Sequence, residues 1–219
     1  MAKVKAVIFD MDGTVADTLA SIAGFGNAAL TAHGFPTLDV ELYRQLIGNG
    51  ADVLMRRMLD AAGADYTEDT VKALRKTYDV LYEADPTKLV VPYPGIIELL
   101  RAIRADGVKT AILSNKPDNM TGFIAAALFP GLFDIVHGQR AHLPKKPDPT
   151  TVLQLCEELG VTPAECLYVG DSGVDMQTGK NAGIVSAGVT WGFRSVEELK
   201  ENGADHLART ADDLCALIL

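Results

Sequence analysis

The chain has 219 residues, is 48 % hydrophobic and carries a formal net charge of −9. That length accommodates one large domain or two modest ones, and the apolar content supports a packed core. The acidic balance argues against a nucleic-acid backbone as main partner, but it leaves room for a small phosphorylated molecule, which needs only a local positive site.

No apolar run reaches membrane-spanning length, and the first one is too short for a signal h-region. A soluble, cytoplasmic protein with no membrane partner is expected. The run Val4–Phe9 is rich in β-formers and reads as a buried strand. It ends in Asp10, Met11, Asp12, Gly13 and Thr14. Two carboxylates at a strand tip repel each other unless a cation or a shared proton separates them, and a metal ion is the simplest resolution.

Residues 15–93 show helical periodicity and no convincing strand. Leu19, Ala23, Gly26 and Leu30 share one helical face, as do Val71, Leu74, Tyr78 and Leu81. Pro36 and the cluster Gly48-Asn49-Gly50 punctuate this block.

From Pro92-Tyr93-Pro94-Gly95 onward, helix and strand alternate. Helices are predicted over 96–106, 118–128, 149–159 and 174–182. Strands are predicted over Val108–Leu113, ending in Ser114-Asn115, and over Phe133–Val136, Cys166–Val169 and Ile184–Val189. Such alternation implies a parallel sheet covered by helices. The expected organisation is an α/β core from 1–14 and 94–219, interrupted by an inserted helical cap over 15–93.

Four polar clusters stand at element boundaries: Asp10-Met-Asp12-Gly-Thr14, Ser114-Asn115, Lys145-Lys146-Pro-Asp-Pro149 and Gly170-Asp171-Ser-Gly-Val-Asp175. In order and content they resemble the DxDGT, Ser/Thr, KPxP and GDSxxD motifs of the haloacid dehalogenase-like hydrolase superfamily. The segments LIGNG (46–50), NAG (181–183) and GVTWGF (188–193) resemble its phosphoglycolate phosphatase-like branch. The resemblance covers nearly the whole chain. It implies a Rossmann-like parallel sheet with an α-helical cap, and a Mg²⁺-dependent phosphatase acting on a small metabolite, with 2-phosphoglycolate the leading substrate.

The residue chemistry agrees with that implication. Asp10 suits a nucleophile that forms an aspartyl phosphate, and Asp12 suits the acid and base for the leaving oxygen and the water. Asp10 and Asp171 suit a small octahedral cation, and the resemblance adds the backbone carbonyl of Asp12. Asp175 is placed behind the metal, bonding its waters or pairing with Lys146; as a helix-start acid it also has a purely structural reading. Ser114 and the Asn115 backbone N–H suit phosphate oxygens, with plain helix capping as the alternative. Lys145 and Lys146 both offer positive charge for the transferring phosphoryl group, and alignment to KPxP selects Lys146.

In the expected cap, Gly48, Asn49 and Gly50 are candidates for substrate contact through backbone N–H groups, with an ordinary interhelical turn as the alternative, and Arg56 and Arg57 for a substrate carboxylate, with a solvated helical face as the alternative. Trp191 and Phe193 read as packing residues. Cys156, Cys166 and Cys215 read as buried free thiols, and the histidines carry no assigned role.

Several rivals are weighed against this reading. An EF-hand starting at Asp10 fails, because Gly13 falls at its fourth position and Ser21 where glutamate is needed. No G-x-x-x-x-G-K-[ST] loop is present. A phosphomutase or pyrophosphatase of the same superfamily uses similar chemistry. A dehalogenase has no need of Asp12 as an acid. A non-enzymatic binding module would not fill every catalytic position. The sequence does not fix the oligomeric state.

Overall fold

The computed structural model describes residues 3–219. The chain divides into two compact units: Met1–Asp17 with Val91–Leu219, and Thr18–Val90. The elements in chain order are β1 (Ala6–Phe9), β2 (Ala16–Asp17), α1 (Leu19–Ala32), α2 (Tyr43–Leu46), α3 (Ala51–Ala61), α4 (Glu68–Ala84), β3 (Val91–Pro92), α5 (Ile96–Ala105), β4 (Lys109–Pro117), α6 (Asp118–Leu128), β5 (Ile135–Gln139), α7 (Thr150–Leu159), β6 (Cys166–Gly170), α8 (Gly173–Ala182), β7 (Val185–Val189), α9 (Val196–Glu201), β8 (His206–Ala208) and α10 (Ala211–Ile218). No helix among the described residues is long and apolar enough to cross a membrane.

Six strands form one parallel sheet in the order β5-β4-β1-β6-β7-β8. The first strand lies in the middle. The chain then builds outward on one side through β4 and β5, and on the other through β6, β7 and β8. The order therefore reverses at β1, and the crevice beyond the carboxyl ends of β1 and β6 is where such sheets bind ligands. Every residue of β1 is fully buried, as are Ala111, Ile112, Tyr168 and Val169 beside it. Burying a side chain the size of Val7, Ile8 or Phe9 stabilises the fold by about 1.5–3 kcal/mol each. The site is thus built on the best-packed strands.

Helix starts follow local side-chain chemistry. Ser172 caps α8 and Asp175 bonds back, and Thr210 and Asp213 do the same for α10. In the unit Thr18–Val90, α1 buries Leu19, Ala23, Gly26 and Leu30, the face predicted from sequence. A Cβ on Gly26 would lie 2.6 Å from the Tyr43 hydroxyl, so this glycine allows α1 and α2 to approach closely. Helix α4 buries Val71, Leu74 and Tyr78, but its next inward residue is Tyr82, with Leu81 only half-buried.

Several expectations need correction. The block 15–93 was expected to hold no strand, yet Ala16–Asp17 pairs antiparallel with Val91–Pro92. A two-residue ribbon is too short to leave an alternating pattern. Strand β4 runs past Leu113 to Pro117, with a register shift between them, so Ser114 and Asn115 lie within the strand instead of beyond it. Strand β5 covers Ile135–Gln139, two residues later than expected at its start. The elements α9, β8 and α10 had no counterpart in the sequence reading. Cys156 and Cys166 are buried free thiols, but Cys215 is only half-buried, because it lies on the outer side of the last helix.

Candidate active site

The carboxyl ends of β1 and β6 place Asp10 and Asp171 side by side. Each follows the last residue of a fully buried strand, and each is itself buried. Asp175 enters from the first turn of α8. One carboxylate oxygen from each of Asp10, Asp171 and Asp175 lies within 4.8 Å of the others. Lys146, from the loop between β5 and α7, reaches into this group. Its Nζ lies 2.8 Å from Asp10 Oδ1 and 2.8 Å from Asp175 Oδ1.

Three carboxylates are therefore buried around one ammonium, which contacts Asp10 and Asp175, so negative charge is in surplus. Burial pushes Asp10 up to about 7, against the pull of Lys146 and with further push from Asp175 and Asp12. Burial also pushes Asp171 well above the usual carboxylate range, helped by the charges of Asp175 and Asp10. For Lys146, burial works against the ammonium, but Asp10 and Asp175 outweigh it and hold the group well above its ordinary value. A buried oxygen-donor set with surplus negative charge fits a hard divalent cation, which would offset the repulsion.

The partners of each carboxylate separate their roles. Asp175 Oδ1 accepts from Lys146 and, at 3.4 Å, from the Tyr168 hydroxyl; its Oδ2 accepts from Ser172 N at 3.1 Å and Ser172 Oγ at 2.6 Å. Both of its oxygens are engaged by protein. Asp171 Oδ2 accepts from Phe193 N at 2.7 Å, and its Oδ1 has only a long contact, 3.5 Å, from the Thr14 hydroxyl. Glycine lets the chain close around these acids. A Cβ on Gly192 would sit 2.3 Å from Asp171 Cβ, and one on Gly170 would sit 2.2 Å from Asp175 Cβ.

Asp12 stands apart from the trio. Its Oδ2 lies 3.0 Å from Lys116 Nζ, and both side chains are largely buried. Its Oδ1 is buried with no hydrogen-bond partner. Ser114 is buried on the same strand as Lys116, and its Oγ accepts from Lys116 N at 3.2 Å. Asn115 uses its side chain on Lys146: Oδ1 accepts from Lys146 N at 2.9 Å, and Nδ2 donates to Lys146 O at 3.2 Å.

Hydrogen bonds, ion pairs and shared burial thus link Asp10, Asp12, Ser114, Asn115, Lys146, Asp171 and Asp175 within one unit. Gly48, Asn49 and Gly50 belong to the other unit. All three have positive φ, at 118°, 62° and 91°. Arg56 is paired with Glu68, and Arg57 donates to the carbonyls of Leu46 and Ile47, so both arginines are engaged within their own unit. Lys145 makes none of the contacts that Lys146 makes to the carboxylates.

Sequence reasoning passed over Lys116, Tyr168 and the Phe193 backbone. Lys116 follows Ser114-Asn115 directly and continues the strand, which was its only signal. Phe193 does pack, as expected, since its ring edge would lie 3.1 Å from a Cβ on Gly13. Its N–H on Asp171 adds a function that no side-chain reading reveals. Trp191 likewise donates from Nε1 to Thr14 O at 3.0 Å, tying the last loop to the first motif.

Comparison with known proteins agrees with this geometry. The family model for haloacid dehalogenase-like hydrolases matches residues 4–183. The chain is 36 % identical over 216 residues to a phosphoglycolate phosphatase of Pseudomonas putida, covering 97 % of this chain and 78 % of that protein. It is 31 % identical over 229 residues to the phosphoglycolate phosphatase of Escherichia coli K12, covering 96 % and 91 %. A solved structure from Lactobacillus delbrueckii subsp. bulgaricus superposes with a TM-score of 0.94 at 33 % identity, over 99 % of both chains. With four motifs gathered at one switch point and a family match spanning most of its length, the chain belongs to the haloacid dehalogenase-like hydrolases.

Proposed function

We propose that this protein is a Mg²⁺-dependent phosphatase that hydrolyses a small phosphate monoester, with 2-phosphoglycolate as substrate, in the cytoplasm. The observation that carries the reading is the buried trio Asp10, Asp171 and Asp175 with Lys146 among them. Relatives named phosphoglycolate phosphatase, alike along almost the whole chain, support the substrate.

In this reading Asp10 attacks phosphorus, and the phosphorus–oxygen bond to the leaving alcohol breaks as the aspartyl phosphate forms. Asp12 gives its proton to that alcohol oxygen, then takes one from the water that attacks the aspartyl phosphate. Inorganic phosphate leaves and Asp10 is restored. Lys146, Ser114 and the Asn115 N–H hold the phosphoryl oxygens, and their charge and donors count most as negative charge builds. Asp10, Asp171 and the Asp12 carbonyl would hold Mg²⁺, with Asp175 behind them engaged by Lys146, Tyr168 and Ser172. When bound, the ion offsets charge between carboxylates and phosphate and aligns the line of attack.

In this reading the unit Thr18–Val90 serves as a cap, with substrate choice assigned to the Gly48-Asn49-Gly50 turn, whose positive φ leaves its backbone open to a ligand. A buried nucleophile favours a substrate small enough to be enclosed. A panel of small phosphorylated metabolites, assayed with and without Mg²⁺, tests the reading. Turnover of 2-phosphoglycolate is expected to lead the panel and to vanish in chelator. Asp10→Asn should lower kcat by about 10⁴-fold or more while the circular dichroism spectrum stays unchanged. Chelator-resistant turnover, or an active and undeamidated Asp10→Asn protein, would remove the mechanism.

A further inference from the structure

Lys146 sits in a segment, residues 140–149, that contains no strand or α-helix. A lysine ammonium on a four-carbon stem is only as well placed as the backbone that carries it. Neither a ladder nor a helix fixes that backbone here; a turn bond from Asp148 N to Lys145 O at 3.0 Å brackets it locally, and side chains from elsewhere tie it to the rest of the site. Two asparagines meet this need. Asn115 takes both polar groups of the Lys146 backbone at once, accepting from N at 2.9 Å and donating to O at 3.2 Å. A carboxamide carries its acceptor and its donor on two neighbouring atoms, so it can serve both backbone groups of a single residue, much as a neighbouring strand would. Asn181 donates from Nδ2 to Pro147 O at 2.9 Å.

The origin of the two clamps matters. Asn115 lies on β4 next to Ser114, and Asn181 lies on α8, the helix that carries Asp175. The irregular segment is thereby held to the two elements that bear other residues of the site. Any rotation of the Lys146 peptide breaks one of the Asn115 bonds and swings Nζ away from Asp10, where it now lies at 2.8 Å.

We propose that Asn115 and Asn181 are positioning residues that hold the Lys146–Pro147 backbone so that the Lys146 ammonium is set against Asp10 and the phosphoryl group. The Asn115 side chain then serves Lys146 and not the substrate. The proposal rests on the reading of Lys146 as the cation that meets the transferring phosphoryl group.

A double-mutant cycle separates the possibilities. The rate is read with p-nitrophenyl phosphate in magnesium buffer, and orthovanadate affinity is read by calorimetry, which needs no turnover. Asn115→Ala is expected to lower kcat by about 10²-fold with KM changed less than about threefold, because a small misplacement of a catalytic group has effects of that order. Asn181→Ala, which removes a single accessible hydrogen bond, should lower kcat by about threefold and keeps the test open if Asn115→Ala does not fold. In a Lys146→Ala background each asparagine substitution should change the rate and the vanadate affinity less than about twofold, since the group it positions is gone. Effects that multiply in that background would overturn the proposal and make Asn115 a substrate contact in its own right. A fully active Lys146→Ala protein would instead overturn the reading of Lys146, whatever the asparagines do.

Discussion

Lys116 gives Asp12 an orientation as well as a partner. With Oδ2 against the ammonium at 3.0 Å, Oδ1 is buried and unpartnered, and in the proposed mechanism it is the oxygen left for the leaving group. Lys116→Met should therefore damage proton delivery more than phosphoryl binding. Its kcat on an alkyl phosphate should fall about tenfold further than its kcat on p-nitrophenyl phosphate, whose leaving group departs without a proton. Equal losses on the two esters, measured side by side, would mean that Lys116 binds the phosphoryl group or the common part of the substrate. The charged motif residues Asp10, Lys146, Asp171 and Asp175 were singled out from sequence and lie together in the structure, with Asp12 nearby against Lys116. Those whose chemistry depends on what folds next to them were not legible from sequence. The Phe193 N–H has no sequence signal, and nothing in the sequence directs the Asn115 side chain to Lys146.

At the scale of elements, the site is a set of strand ends closed by glycine-lined loops. Gly192→Ala would place a Cβ 2.3 Å from Asp171 Cβ and 2.5 Å from Gly13 O, so Asp171 or its loop must move. The expected result is an intact fold with Mg²⁺ affinity at least about tenfold weaker, measured by titrating activity against the cation. An unchanged affinity would mean that the loop yields without disturbing Asp171.

The opposite end of β6 carries a stabilising cluster. Glu165 bonds Lys5 at 2.5 Å and receives bonds from Thr162 N and Oγ1, each at 2.9 Å; together they hold its carboxyl down at about 2. A depressed carboxylate adds stability that is present above its unfolded value and lost as pH falls through the folded one. Glu165→Gln should lower Tm at pH 7, and the gap to wild type should narrow from about pH 4.5 down to pH 2. A gap that stays constant over that range would assign the effect to something other than the charge. Buried strands of four and five residues, such as β1 and β6, were readable as apolar runs. The ribbon β2–β3 and strand β8 are two and three residues long, too short for any period to show.

At the scale of the molecule, alternation of helix and strand was enough to imply a covered parallel sheet, and the early helical block stood out as an interruption. The boundaries of that block were expected at 15 and 93, whereas the compact unit spans Thr18–Val90. The difference is the ribbon, whose residues pair with each other at the edge of the core unit. If substrate choice resides in Thr18–Val90, replacing Gly48 and Gly50 together with valine should raise KM for the best metabolite. Positive φ is strained for a β-branched residue, so the turn would reshape. The ratio of kcat/KM for that metabolite to kcat/KM for p-nitrophenyl phosphate should drop about tenfold. A constant ratio would mean that this turn does not select the substrate.

The ribbon has a consequence for how such a protein is assembled and changed. Ala16 pairs with Pro92 and Asp17 with Val91, so the chain leaves the core and returns to it at adjacent points. To the sheet, the whole stretch Thr18–Val90 is topologically a hairpin loop. The entropy of closing a loop grows only with the logarithm of its length, so the core is nearly indifferent to what hangs from the ribbon. The insert is a cassette. A stretch of different length or sequence can be spliced between the same two pairs while the strands that carry Asp10 and Asp171 keep their register.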